Sequence, residues 1–353
     1  MNSYERFKCA VRMEVPDCVP VAPYSGLFGG VVGGVRLDEY CQSGKLMAEA
    51  QLKTLELCDT DTVVAQSDNY YIAQGFGIQV EHHKDSIPTK TNVVVNSLED
   101  VFELRVPDPL QDGRMSVFLE ALEILSSQLK GEYIIRGPGT GPFSLAGHLM
   151  GLEKFLMEIA MLDVDPDEKK ENMMKHLMEC TTKALIRFQK ACIDAGADTV
   201  QAGDSLASLD MISPSIYSKW VLPYEKKFFT TINQYGKSRE VASILHICGD
   251  TTEILLEMAE SGATILEIDS KVDLRKAKKM VGEKVCLMGN IEPSAVLLQG
   301  SINDVENACV NAICDAAEGG GFILGSGCEV PPRTPIDNIR AMVRIAREHN
   351  YTI

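Results

Sequence analysis

Three residues of this chain carry the donor atoms of a soft-metal centre: His246, Cys248 and Cys328. His246 and Cys248 belong to the short apolar run Leu245–Gly249, where a strand would turn positions i and i+2 to one side. Cys328 closes the turn Gly325-Ser326-Gly327-Cys328, whose glycines allow the backbone to swing inward. One imidazole and two thiolates suit zinc, and three protein donors leave a fourth position open, as in catalytic zinc sites. Two cysteines among eleven are also ordinary buried packing residues. The elements that present them therefore decide the matter.

Those elements recur. Apolar, β-rich runs occupy Val19–Tyr24, Thr60–Gln66, Tyr133–Arg136, Thr199–Ala202, Ser243–Cys248, Thr264–Asp269, Val285–Gly289 and Phe322–Gly325, with helical spacing between most of them. Three consecutive runs begin about 21 residues apart, at Ser243, Thr264 and Val285. Eight strands alternating with helices predict an α/β protein, a (β/α)8 TIM barrel, with an open doubly wound sheet as the other arrangement. Residues 1–353 read as one domain. Gly75–Val95 alternates like a β-hairpin with a turn near Lys84–Ser86, an excursion after the second strand. Phe143–Ala195 is long enough for at least two helices, divided near Asp163–Asp167.

A barrel places its active site at the C-terminal strand ends. Here those ends read Tyr24-Ser25, Ser67-Asp68-Asn69, Arg136-Gly137, Gly203-Asp204-Ser205, His246-Ile247-Cys248, Asp269-Ser270, Asn290 and Ser326-Gly327-Cys328-Glu329. Asp204, Asp269 and Asn290 are candidates for hydrogen bonds to a metal ligand or substrate, since ligand imidazoles donate their second N–H to such groups. Tyr24, Asp68, Asn69 and Tyr70 are candidates for the substrate pocket. Glu329 or the substrate would complete the metal shell. The glycine-rich Gly26–Gly34 stretch reads as a mobile lip. Neither it nor Gly137–Gly141 has the spacing of a phosphate-binding loop.

Composition narrows the partners. A net charge of −16 argues against a phosphate backbone or an anionic membrane surface, so neither nucleic acid nor membrane is expected. No stretch approaches the roughly 18–20 apolar residues of a membrane span. Eleven scattered cysteines without a secretion signal fit a cytoplasmic setting that keeps thiols reduced.

Several segments together resemble the uroporphyrinogen decarboxylase superfamily: His246-Ile-Cys-Gly-Asp-Thr-Thr, Glu267-Ile-Asp269, Met288-Gly-Asn290-Ile-Glu-Pro293, Gly141-Pro-Phe-Ser-Leu-Ala146, Gly203-Asp-Ser205 with Pro223-Tyr224, and Gly325-Ser-Gly-Cys328-Glu-Val-Pro-Pro332. The resemblance implies a (β/α)8 barrel and two branches. One decarboxylates porphyrinogens without metal. The other comprises zinc methyltransferases that exchange methyl groups with a corrinoid (cobalamin) protein, using His-x-Cys and a distant Cys as ligands. The decarboxylase branch has an Arg-Gln-Ala-Gly-Arg-Tyr stretch after the first strand, whereas this chain has Tyr24-Ser-Gly-Leu-Phe-Gly-Gly, and Arg36 is the only arginine between Val19 and Leu52. A polyanionic substrate would lack its clamps. The resemblance therefore favours the methyltransferase branch, with zinc, a corrinoid carried by a separate protein, and a small methyl donor (a methoxylated aromatic, for instance) or thiol acceptor. The decarboxylase and a non-catalytic zinc scaffold or sensor remain as alternatives.

Overall fold

The computed structural model describes residues 1–348; residues 349–353, the end of the expected single domain, lie outside them. Among the described residues nine strands are formed: β1 Thr62–Val64, β2 Val80–Glu81, β3 Thr89–Lys90, β4 Ile134–Arg136, β5 Thr199–Gly203, β6 Ala242–Ile247, β7 Ile265–Ile268, β8 Cys286–Ile291 and β9 Phe322–Ser326. Seven of them form one parallel sheet in the order β1-β4-β5-β6-β7-β8-β9. This is a curled, TIM-barrel-like α/β fold.

The first expected strand, Val19–Tyr24, contributes a single parallel bridge, Val21 to Leu324. Pro20 and Pro23 explain this, because neither can donate to a ladder. The segment still touches both ends of the sheet. Ala22 N donates to Leu324 O at 2.8 Å, Leu324 N to Pro20 O at 2.9 Å, and Asp61 N to Val21 O at 2.9 Å. The remaining N–H of Val21 is taken by the Asp61 carboxylate at 2.6 Å.

Two apolar layers follow from strand parity. Ile134, Ile244, Ile265, Cys286 and Ile323 pack inside the curl with Phe7 and Ala10 of the helix Ser3–Val11. Their neighbours Ile135, Leu245, Leu266, Leu287 and Leu324 face outward into the large core shared with the surrounding helices. Two steps along from Ile134, Ile244 and Ile265, the inward positions carry Arg136, His246 and Glu267, all buried.

Between the second expected strand and its helix, β2 and β3 pair antiparallel over only two residue pairs, Val80 with Lys90 and Glu81 with Thr89. The Phe143–Ala195 stretch resolves into three helices, Pro142–Met150, Leu152–Val164 and Glu168–Asp194. Asp167 caps the last of them, accepting from Lys170 N at 3.1 Å. The expected mobile lip is instead a helix, Gly26–Val32, whose glycines serve close packing. A β-carbon on Gly33 would lie 2.5 Å from that of Ala50 on the helix Gly44–Cys58, and one on Gly29 would strike the Gln51 amide.

Candidate metal centre

His246 is the inward residue near the end of β6, and Cys248, one residue past the strand, brings its sulfur to the same side. Cys328 arrives from beyond β9, where Gly327 passes so close to Ser270 that a β-carbon would lie 2.6 Å from its backbone nitrogen. One donor atom from each of His246, Cys248 and Cys328 lies within 4.8 Å of the others. His246 Nε2 is 3.2 Å from Cys248 Sγ, which is 3.5 Å from Cys328 Sγ. Ser205 Oγ sits 3.2 Å from the Cys248 sulfur.

The electrostatics of this trio favour one thiolate. The Cys328 thiol donates toward Cys248 and holds its acidity well above that of an ordinary thiol; burial opposes this, while His246 and Ser205 reinforce it. The same hydrogen bond, together with burial, pushes Cys328 up. Burial presses the His246 imidazole down, but the neighbouring Cys248 charge and Glu267 outweigh it and raise the ring to about 9. Crowding two thiols and an imidazole in a buried pocket costs free energy unless a cation neutralises the thiolates. The donor set thus fits a soft divalent ion such as zinc.

The remaining expected residues fall in distinct places. Asp204 is fully buried, and its carboxylate accepts from Phe143 N at 3.2 Å and Ser144 N at 2.6 Å, at the start of the helix Pro142–Met150. Burial pushes its carboxyl up to about 6, the backbone donors opposing. Asp269 accepts from Gly249 N at 2.9 Å and so fixes the backbone just after Cys248. Asn290 donates to the carbonyls of Asp269 at 3.2 Å and Val272 at 2.8 Å. None of the three meets the second imidazole nitrogen. His246 Nδ1 instead faces the Glu267 carbonyl at 3.1 Å and the Glu267 carboxylate at 3.6 Å.

Glu329 accepts from Leu27 N of the Gly26–Val32 helix at 3.1 Å; burial chiefly, then the charges of Asp68 and Cys248, push it up to about 7. Tyr24 lays its ring against the Arg136 guanidinium, 4.3 Å from the centroid. Asp68 is gripped by Arg114, Nη2 lying 2.8 and 2.9 Å from its two oxygens. Asn69 is exposed, and Tyr70 meets His148 edge-on with centroids 5.0 Å apart.

Glu267, Ser205 and Arg114 are the contacts that reading by residue type did not assign. Glu267 had a usable signal: it stands one 21-residue repeat after His246, and the two are register partners across β6 and β7.

Residues 2–349 match the family model described as uroporphyrinogen decarboxylase (URO-D), and the chain belongs to that family. The chain is 34% identical over 277 residues to the methylcobamide:CoM methyltransferase MtbA of Methanosarcina mazei, covering 78% of this chain and 76% of that protein. A uroporphyrinogen decarboxylase of Carboxydothermus hydrogenoformans is 26% identical over 312 residues, 88% of this chain and 85% of that one. A solved methyltransferase from Methanosarcina mazei superposes with a TM-score of 0.87 at 27% identity, covering 99% of both chains. The two methyltransferases among these relatives mark the chain as an enzyme of that type.

Proposed function

We propose that this protein is a zinc-dependent methyltransferase that moves a methyl group between a corrinoid carried by a separate protein and a small thiol. The observation that carries the reading is the clustering of His246, Cys248 and Cys328 donors within 4.8 Å. The similarity to a methylcobamide:CoM methyltransferase supports the corrinoid and the thiol. The reading takes Val19–Tyr24 as the first stave of an eight-stranded (β/α)8 barrel and residues 1–353 as one domain.

His246, Cys248 and Cys328 would hold the zinc ion. When bound there, zinc supplies a Lewis acid that lowers the pKa of a thiol and keeps it as a nucleophilic thiolate. Ser205 and the Asp269–Gly249 contact hold Cys248 in place from two sides. Tyr24, Asp68, Asn69 and Tyr70 are taken as the substrate side of the site.

A porphyrinogen decarboxylase is the weaker reading. The Asp68 carboxylate is already engaged by Arg114, and identity is lower, 26% against 34%. The test is anaerobic incubation with methylcobalamin and a panel of small thiols, following the cobalt spectrum. Thiol-dependent demethylation that needs Cys248 supports the proposal. Demethylation of methoxyarenes by cob(I)alamin with no thiol reaction would reverse its direction, and porphyrinogen turnover would replace it.

A further inference from the structure

We infer that Arg136 and Glu267 are positioning residues for His246: the guanidinium fixes the carboxylate, and the carboxylate fixes the ring. The inference rests on the zinc reading above and deepens it.

Four adjacent strands meet inside the curl. Arg136 of β4 reaches Gln201 of β5, with Nη2 2.6 Å from Gln201 Oε1, and crosses to Glu267 of β7, with Nη2 2.6 Å from Oε2. Glu267 stands beside His246 of β6 as its register partner. Both acceptors near Nδ1 belong to Glu267, the carbonyl at 3.1 Å and the carboxylate at 3.6 Å. With zinc held by Nε2, the Nδ1 proton would face Glu267, and Glu267 would fix the ring that presents Nε2 to the metal. Tyr24 covers the guanidinium face and restricts its swing.

A purely structural origin for this pair is poorly supported. Arg136 and Glu267 side chains are each only 1% exposed, and an ion pair so buried is commonly no better for stability than apolar residues of equal volume. This pair is also incompletely satisfied, since Arg136 Nη1 and Glu267 Oε1 are buried without partners among the described residues. Of the two carboxylate oxygens, Oε2 is the one engaged, and it links the guanidinium to the imidazole side.

The test measures zinc affinity directly, by competition with a chromophoric chelator, alongside the absorption bands of the cobalt(II)-loaded protein. Glu267→Gln is expected to weaken zinc binding about 10–100-fold and to alter the cobalt bands, the usual range for losing such a partner. Arg136→Met is expected to do likewise. Because Arg136 acts through Glu267, the double variant should be no weaker than Glu267→Gln alone. Should Arg136→Met not fold, Arg136→Lys carries the same expectation, since a single ammonium does not reproduce the guanidinium fork. Glu225→Gln, which alters another buried carboxyl bonded by Tyr217, should leave zinc affinity unchanged. Wild-type protein that binds zinc while Glu267→Gln and the Arg136 variants bind it equally tightly would overturn the inference and leave the zinc reading standing. Wild-type protein that binds no zinc would remove both.

Discussion

The sulfurs of Cys248 and Cys328 stand 3.5 Å apart although 80 residues separate them in the chain. Two unrelated devices produce this proximity. Strand parity brings Cys248 to the inner side of the curl, and the close approach of Gly327 to Ser270 brings Cys328 across. On the zinc reading each thiol would be needed by a shared centre, whereas Cys286 and Cys309 are packed in apolar surroundings. Cys248→Ala and Cys328→Ala should each reduce metal content from about one per chain to near none and abolish methyl transfer, while Cys309→Ala keeps both. Metal analysis with parallel activity assays checks this.

Asp204 should give the protein a distinctive pH dependence. Its carboxyl is raised from 3.8 to about 6 in the folded state, burial being the main cause. A raised acid favours the fold when protonated, so its contribution is full below about pH 4 and lost as pH rises through about 6. The difference across that window is ~3 kcal/mol at ~1.4 kcal/mol per pKa unit. Urea unfolding at pH 4 and pH 7.5 should show that the wild type loses more stability on the rise than Asp204→Asn does. Equal losses would mean that Asp204 ionises as freely in the fold as out of it.

Arg114 and Asp68 form a pair whose side chains are 10% and 3% exposed. Removing only the cation strands a buried carboxylate. Arg114→Met should cost about 3–5 kcal/mol, and adding Asp68→Asn should recover much of the loss. Denaturant midpoints of both single variants and the double variant read this coupling, and additive losses would refute it.

The Gly26–Val32 helix depends on contact with the helix Gly44–Cys58. Gly33→Ala would place a β-carbon 2.5 Å from that of Ala50. A cost of about 1–3 kcal/mol is expected from such overpacking. Gly34, whose β-carbon would meet nothing within 4 Å, pays only for its positive φ of 75°. The larger loss should therefore fall on Gly33→Ala in thermal unfolding.

The periodic features of the sequence carried most of the architecture. Runs such as Ser243–Cys248 and Phe322–Gly325 fall on β6 and β9 because buried parallel strands demand short apolar, β-branched stretches. The clustering of His246, Cys248 and Cys328 was legible in part, since the i, i+2 spacing of the first two suggested a shared side, whereas the approach of Cys328 depends on the turn after β9. What the sequence hid was competition for polar groups. Asp204 looks like a free rim carboxylate until the helix Pro142–Met150 brings two backbone N–H groups to it. Asp68 looks available until Arg114 reaches it from 46 residues away. The Gly26–Gly34 stretch looks mobile by composition, yet Gly29 and Gly33 face Gln51 and Ala50 across a helix contact. Such outcomes depend on tertiary partners that no local pattern specifies.

The central claim is a zinc ion bound by one imidazole and two thiolates with a position left for substrate. Zinc K-edge X-ray absorption of the purified, thiol-free protein tests it most directly. The account predicts two sulfur ligands at about 2.3 Å, one imidazole at about 2.0 Å and a light fourth ligand that a bound thiol replaces with a third sulfur. A folded protein whose zinc has no sulfur ligands, or whose ligand set does not change with thiol, would contradict it.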